Sequence, residues 1–259
     1  AAAKDRGVEV RVLIDFVGAH YSFPTIARSL RKAKIPVRLY LPTFWPWQLG
    51  VTNLRNHRKL LICDHNKAFT GGLNIRDSHD RRLVPPHRHV NDVHFMLKGP
   101  VVPDLLQSFS EDWYFAAGED LIKRGWLENQ TCDLQQDQSL CRVVRDGPDK
   151  NLDKIKWMFL GAIANAQNRI RIVTPYLLPD TEIITALRLA ALSGIKVEII
   201  IPQKTNIALV QWASMATIGD LLKDGCRIFR QLPPFDHSKI MIIDSDWSFV
   251  GSSNWDNRS

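Results

Sequence analysis

No apolar run in this 259-residue chain approaches the ~18 to 20 residues that a membrane-spanning helix needs, so any membrane contact it makes is expected to be peripheral. The N-terminus, Ala1-Ala2-Ala3-Lys4-Asp5-Arg6, lacks the apolar centre of a secretory signal. Cysteine is scarce: Cys63, Cys132, Cys141 and Cys226 are too scattered for a disulfide scaffold, and no Cys-x2-Cys pair is present to hold a metal. With Cys63 inside an apolar run and Cys226 near a predicted strand, buried thiols in a reducing compartment are expected. His79, His87 and His89 show neither a repeated spacing nor a Cys/Glu partner pattern, so no metal and no cofactor is expected.

Composition excludes disorder and a fibrous role, because 45% hydrophobic against 24% charged residues is enough apolar surface to bury a core at this length. A surplus of 34 Lys and Arg over 27 Asp and Glu gives +7, which favours polyanionic partners: nucleic acid, anionic lipid or a phosphorylated substrate. Charge alone does not choose among them.

What is present is a duplicated pattern, His-x-Lys-x4-Asp. His57, Lys59, Asp64, Gly71 and Asn74 match His237, Lys239, Asp244, Gly251 and Asn254, each pair 180 residues apart. One His-x-Lys in a basic protein is usually an incidental feature of a solvated strand. Two copies in register, each followed by an apolar run, Asp, a short turn, Phe and a small-residue cluster (Gly71-Gly72, Gly251-Ser252-Ser253), indicate a site.

The repeat extends outward. Gly7 to Asp15 parallels Gly194 to Pro202, each a Gly-started β-branched run, and Leu30 to Pro42 parallels Leu221 to Pro233. Each half therefore reads as strand, helix, strand and motif hairpin. Alternation of strands with helices argues for parallel pairing, and the short turns after Asp64 and Asp244 for a local antiparallel hairpin, so the expected class is α/β: two halves related by a pseudo-twofold, each a mixed sheet flanked by helices. The expected division is a first half over 1–117, an irregular connector over 118–150 and a second half over 151–259, with helices over Val101 to Ala117 and from Leu152, a strand over Ile170 to Thr174, and Asp180 capping a helix to about Ala191. Because the first half lacks a counterpart of Leu152 to Pro179, the chain reads as truncated at its N-terminus.

Two histidines, two lysines and two asparagines brought together suit a phosphodiester. Lys59, Lys239, Asn74 and Asn254 can donate to nonbridging oxygens as phosphorus becomes five-coordinate, without a metal. One imidazole can attack phosphorus while the other protonates the leaving alcohol and later serves as base. Within a strand, residues two apart share a face, which would aim His57 with Lys59, and His237 with Lys239, into one cleft. Asp64 and Asp244 complete the catalytic motifs, yet seven residues beyond their histidines they would face the other way, so salt-bridge or turn-capping roles are expected for them. Carboxylate support for an imidazole should come from elsewhere, and Asp92 in Asn91-Asp92-Val93-His94 is the best candidate.

On these motifs the chain resembles the phospholipase D superfamily. The runs Asn53 to Leu61, Phe69 to Ile75, Thr174-Pro175-Tyr176 with Pro179-Asp180, and Gly251 to Ser259 make it most similar to bacterial cardiolipin synthases. The resemblance implies phosphatidyl transfer through a phosphohistidine, with His57 as nucleophile and His237 as general acid and base, Gly71, Gly72, Gly251 and Ser252 in support, and anionic phospholipids as partners. It places the chain peripherally at the cytoplasmic side of the bacterial inner membrane, with membrane segments, if the longer protein has them, ahead of this chain. The alternatives are a phospholipase D hydrolase or a phosphodiesterase or nuclease of the same superfamily, and, less favoured, a non-catalytic module binding anionic lipid. The chain departs from the family at Ser238, where Ala is usual, and at Val90, where an aromatic is common. In the family an acidic residue beyond the Arg-Ser pair at Arg258-Ser259 supports the first histidine, so this reading expects support for His57 from outside the chain.

Two surface features stay open between roles. Phe44-Trp45-Pro46-Trp47 could insert at a lipid interface or pack under the cleft. Arg76, Arg81, Arg82, His87, Arg88 and His89 could attract headgroups or form an ordinary solvated loop.

Overall fold

A computed structural model describes residues 1–20, 23–42, 56–127, 139–146, 153–205 and 208–256. Phe44-Trp45-Pro46-Trp47 and Cys132 lie outside the described residues. In chain order the first elements are α1 (Ala2–Asp5), β1 (Val12–Asp15), α2 (Phe16–Ala19), α3 (Ile26–Lys32), β2 (Val37–Tyr40), β3 (Leu60–Cys63) and β4 (Lys67–Gly71). Next come β5 (Val90–Asn91), β6 (His94–Lys98), α4 (Val101–Ala117), α5 (Lys154–Ala164), β7 (Arg169–Val173) and β8 (Leu177–Leu178). The remainder is α6 (Thr181–Leu192), β9 (Lys196–Pro202), α7 (Ala208–Lys223), β10 (Arg227–Gln231), β11 (Phe235–Asp236), β12 (Ile240–Ile243), β13 (Trp247–Val250) and β14 (Trp255–Asp256).

The chain divides into two compact units that interleave in sequence. The first comprises Ala1–His57, Ile62–Ala68 and Lys98–Val143, and the second Arg58–Leu61, Phe69–Leu97 and Val144–Ser259. In the first, β1 and β2 pair in parallel with Val12 opposite Val37. Helix α4 buries Val101, Val102, Leu105, Leu106 and Trp113, an apolar stripe at helical spacing, and ends where Gly118 turns left-handed at φ 69°. Just past that turn Glu119 accepts from Arg11 Nε at 2.9 Å and Nη2 at 2.7 Å and from Trp113 Nε1 at 2.9 Å. The Arg11 bonds hold the Glu119 carboxyl down at about 2.

The second unit contains a mixed sheet ordered β10-β9-β7-β12-β13. The pairs β10-β9 and β9-β7 are parallel, whereas β12 runs antiparallel to both β7 and β13. Period-two alternation buries Ile170 and Ile172, Val197, Ile199 and Ile201, and Met241 and Ile243. Ile163 from α5, Ile183 and Leu187 from α6 and Leu221 from α7 join the same cluster, where truncating one aliphatic side chain to Ala costs about 2–5 kcal/mol. This core clamps β12, and with it the chain that enters β12 from His237.

Two features differ from the sequence-based expectation. Asp180 stands at the N-cap of α6, yet it bonds no helix N–H; its carboxylate pairs with Lys156 Nζ at 3.1 Å. Cys63 is half-buried and Cys141 exposed, and only Cys226 of the described cysteines is buried, which pushes its thiol up to about 11. The motif aspartates do sit in turns: Asp64 and Asp244 adopt left-handed φ of 49° and 51°, a conformation Asp tolerates better than most residues.

Asp244 also holds the sheet together. Its carboxylate accepts the backbone N–H groups of Gln167 and Asn168 at 2.8 Å and Arg169 at 2.7 Å, joining the hairpin turn to the start of β7. Those bonds occupy most of its acceptor capacity and lower its pKa, which gives Asp244 the structural role expected of it. Asp244→Ala should lower the melting temperature and speed amide exchange at Gln167, Asn168 and Arg169, while turnover per folded molecule stays near that of the parent. Loss of turnover with unchanged exchange would contradict this assignment.

Candidate active site

The motif histidines and lysines were expected inside strands, but they precede them. His237, Ser238 and Lys239 form an extended link between β11 and β12, and His57 to Lys59 likewise run ahead of β3. All three residues of the second link are buried, which is unusual for a His and a Lys and demands polar partners.

The partners arrive through a two-residue parallel pairing. Phe235 and Asp236 of β11 lie in register with Val90 and Asn91 of β5, and His237 N donates to Asn91 O at 2.8 Å. The next residue after β5 is Asp92, so the pairing delivers its carboxylate to the imidazole: Oδ2 is 3.0 Å from His237 Nδ1. The Asp92 side chain is fully buried, and its Oδ1 accepts from Val93 N at 2.8 Å. Gly72 O, 3.2 Å from the same Nδ1, completes the cradle.

Two glycines make this approach sterically possible. A Cβ on Gly72 would sit 2.3 Å from Asp92 Oδ1. Gly71 has φ +151°, and a Cβ there would meet Val93 O at 2.4 Å. Gly251, the counterpart of Gly71, has open space around it, so the duplicated glycines do different work.

Lys239 Nζ lies 3.1 Å from both Nδ1 and Nε2 of His237. An in-plane position equidistant from both nitrogens would collide with Cε1, so the ammonium sits over the ring face, leaving the in-plane lone pair at Nε2 open. Burial first, and then the charges of Lys239 and Lys59, lower the His237 pKa; Asp92 opposes them and is outweighed. The imidazole is thus neutral in the resting protein, with Nδ1–H donated to Asp92. Tyr176 and Phe235 wall the ring at centroid distances of 6.3 and 6.2 Å.

The other motif residues are placed as follows. His57 is half-buried in the first unit, where its neighbour Asn56 donates to Asp112 Oδ2 on α4 at 2.7 Å. Asn74 is half-buried in the loop after β4, and Gly251 and Ser252 are half-buried after β13. Asn254 presents a buried side-chain Oδ1 that no donor satisfies, and its amide orientation is interchangeable at such a site. Among the described residues no cluster of His, Cys, Asp or Glu is arranged to hold a metal ion.

The basic stretch after motif one divides. Arg82 is spent on Asp80 in a local pair at 2.7 Å, whereas Arg81, His79 and His89 line a recess of about 260 Å³ with Leu73, Val90, Asn91 and Asp92. The His79 ring is 6.4 Å from that of His237, and its Nδ1 is buried without a hydrogen-bond partner. Reading histidines only for metal spacing passes over His79; its position five residues after Asn74 of the motif is the available signal.

Comparison with known proteins gives a consistent result. The family model described as cardiolipin synthase, PLD-like domain, matches residues 1–113 and 159–259. Cardiolipin synthase of Geobacillus sp. (strain WCH70) is 34% identical over 257 residues, covering 98% of this chain and 50% of its own length. Cardiolipin synthase A of Pseudomonas fluorescens (strain SBW25) is 35% identical over 255 residues, covering 98% and 52%. The chain thus spans about half the length of the curated relatives it matches. The solved phosphatidylserine synthase of Haemophilus influenzae shares the fold, with a TM-score of 0.60 at 14% identity over 94% of this chain and 65% of that one.

The balance at His237 is measurable by NMR titration of its ring protons. The midpoint should fall below the ordinary ~6.5, lower still in Asp92→Asn, and higher in Lys239→Met. Burial also depresses His79 and His94. Since the unfolded chain then binds more protons just below pH ~6.5, stability should fall as pH drops through that window and level off below the folded-state midpoints. A His237 midpoint above 6.5, or one unmoved by Asp92→Asn, would refute the arrangement.

Proposed function

Because the chain belongs to the family described as cardiolipin synthase, PLD-like domain, we propose that it transfers a phosphatidyl group from one phospholipid to the hydroxyl of another, releasing a small alcohol and forming cardiolipin. The observation that carries this reading is the buried Asp92–His237 pair beneath the Lys239 ammonium. It is an acid-base device aimed at an anionic, proton-demanding centre.

In the proposed reaction His57 attacks phosphorus, a P–N bond forms, and the P–O bond to the leaving alcohol breaks as His237 supplies its proton. An acceptor hydroxyl then gives its proton to His237 while its oxygen attacks phosphorus and expels His57. The resting His237 is neutral, but an arriving phosphodiester anion raises its proton affinity, and Asp92 stabilises the imidazolium at Nδ1. Lys59, Lys239, Asn74 and Asn254 are proposed to receive the nonbridging oxygens, a positive field that makes a divalent ion unnecessary. The substrates are anionic phospholipids met at a bacterial membrane surface, proposed here as the cytoplasmic face. No helix among the described residues is long and apolar enough to cross a membrane.

Phosphatidylglycerol vesicles should yield cardiolipin and glycerol, in the presence of chelator as in its absence. Phosphatidic acid alone would point to a hydrolase, and cleavage only of added DNA to a nuclease. With a phosphatidyl ester of 4-nitrophenol, whose leaving group needs no proton, His57→Ala should form no covalent adduct and His237→Ala should still form one slowly. An adduct trapped on His237 would reverse the two roles.

A further inference from the structure

Several exposed apolar side chains of the second unit have no part in the chemistry, and they gather at one end of its sheet. The parallel strands β7, β9 and β10 run toward that end, and β12 starts there, with Ile240 opposite Val173, the last residue of β7. His237 lies at the same end, since Tyr176, three residues past β7, stands beside its ring at 6.3 Å. Helix α6 opens at this level because it follows β7. Lys156 in the first turn of α5 pairs with Asp180 at 3.1 Å and Glu182 at 3.2 Å, which brings the start of α5 alongside. Helix α7 follows the end of β9 in the same way. On this rim stand Trp157 of α5, 67% exposed, Trp212 of α7, 73% exposed, and Leu232 directly after β10, 69% exposed.

Cations stand among them. Arg230 near the end of β10 and Lys204 after β9 are exposed, and the loop whose His79 ring lies 6.4 Å from that of His237 adds exposed Arg81. The acids of this rim, Asp180 and Glu182, are held by Lys156. An indole has an apolar body and a polar N–H, which suits the headgroup layer of a bilayer, and basic side chains around it complement anionic lipid. We infer that this rim is a docking surface for an anionic phospholipid bilayer: Trp157, Trp212 and Leu232 enter the headgroup layer, and Arg81, Lys204 and Arg230 face its phosphates. The inference rests on the reading of the substrates as phospholipids and adds the face by which the protein meets them. Trp247 supplies the contrast. It is 56% exposed, but it stands opposite Ile243, which pairs with Ile170 near the start of β7, at the other end of the sheet from His237. A bilayer on the rim leaves it in water.

Sedimentation with vesicles separates the two ends. The parent protein should bind phosphatidylglycerol vesicles, more weakly in high salt, and should bind phosphatidylcholine vesicles less. Trp157→Ser combined with Trp212→Ser should weaken binding about tenfold or more, and Lys204→Gln and Arg230→Gln about fivefold each, while Trp247→Ser stays within about twofold of the parent. The substituted side chains are all exposed, so folding is not at stake. In the double tryptophan variant the ratio of turnover on vesicles to turnover on monomeric, short-chain phosphatidylglycerol should fall with the binding, a shift that a general loss of structure does not produce. Binding that is absent from the parent, unchanged in the rim variants or weakened as much by Trp247→Ser overturns the docking surface, and the transferase reading stands as long as cardiolipin is formed. Rim-dependent binding by a parent that forms no cardiolipin from either substrate keeps the surface and overturns the transferase reading.

Discussion

Two residue pairs, Val90 with Phe235 and Asn91 with Asp236, join the segment after motif one to the segment that carries motif two. Without them the histidine would be a buried imidazole lacking a carboxylate. With them, Asp92 follows directly from the end of one short strand as His237 follows from the end of the other, and the backbone bond from His237 N to Asn91 O fixes the offset. Such a short ladder contributes little stability by itself. It is held from both sides: β12 continues from His237 into an apolar sheet core, and Gly72 admits the carboxylate where a methyl group would not fit.

Burial and charge oppose each other at His237, and the balance defines what the group can do. A carboxylate at 3.0 Å would ordinarily raise a histidine's proton affinity. Here desolvation, reinforced by two lysines, prevails, and the imidazole stays neutral with Asp92 fixing its tautomer. An unliganded site of this kind stores its response. In the proposed reaction the same lysines that discourage a proton in the resting state would attract a phosphodiester whose negative charge then favours one, coupling substrate arrival to acid formation.

Much of this was legible in the sequence where local chemistry decides. The helices of Val101–Ala117 and Thr181–Leu192, the strand Arg169–Val173 and both motif turns follow from periodicity, capping and turn residues. Asp92 could be singled out because an imidazole in this chemistry needs a carboxylate and its own motif Asp faces away. Less legible was anything set by tertiary pairing. Periodicity extends the apolar runs back over His57 and His237, but the strands start only at Leu60 and Ile240; ahead of the second, β11 holds the residues before His237 in a separate pairing with β5. Asp180 reads as a cap, yet a lysine 24 positions upstream in α5 competes for its carboxylate and wins. His79 carries no pattern of its own; only the fold around Asp92 brings its ring to 6.4 Å from that of His237.

Duplication explains why equivalent residues need not do equivalent work. Gly71 is pinned by a backbone 2.4 Å from where a side chain would begin, while Gly251 meets nothing. Asp244 ties its turn to β7 through three backbone N–H groups, a role that depends on the chain preceding Arg169 and not on the motif itself. A repeated motif therefore specifies a hairpin with a His and a Lys ahead of it, and the surroundings of each copy decide the chemistry. For the second copy those surroundings are a buried carboxylate, an ammonium over the ring and a polar recess alongside.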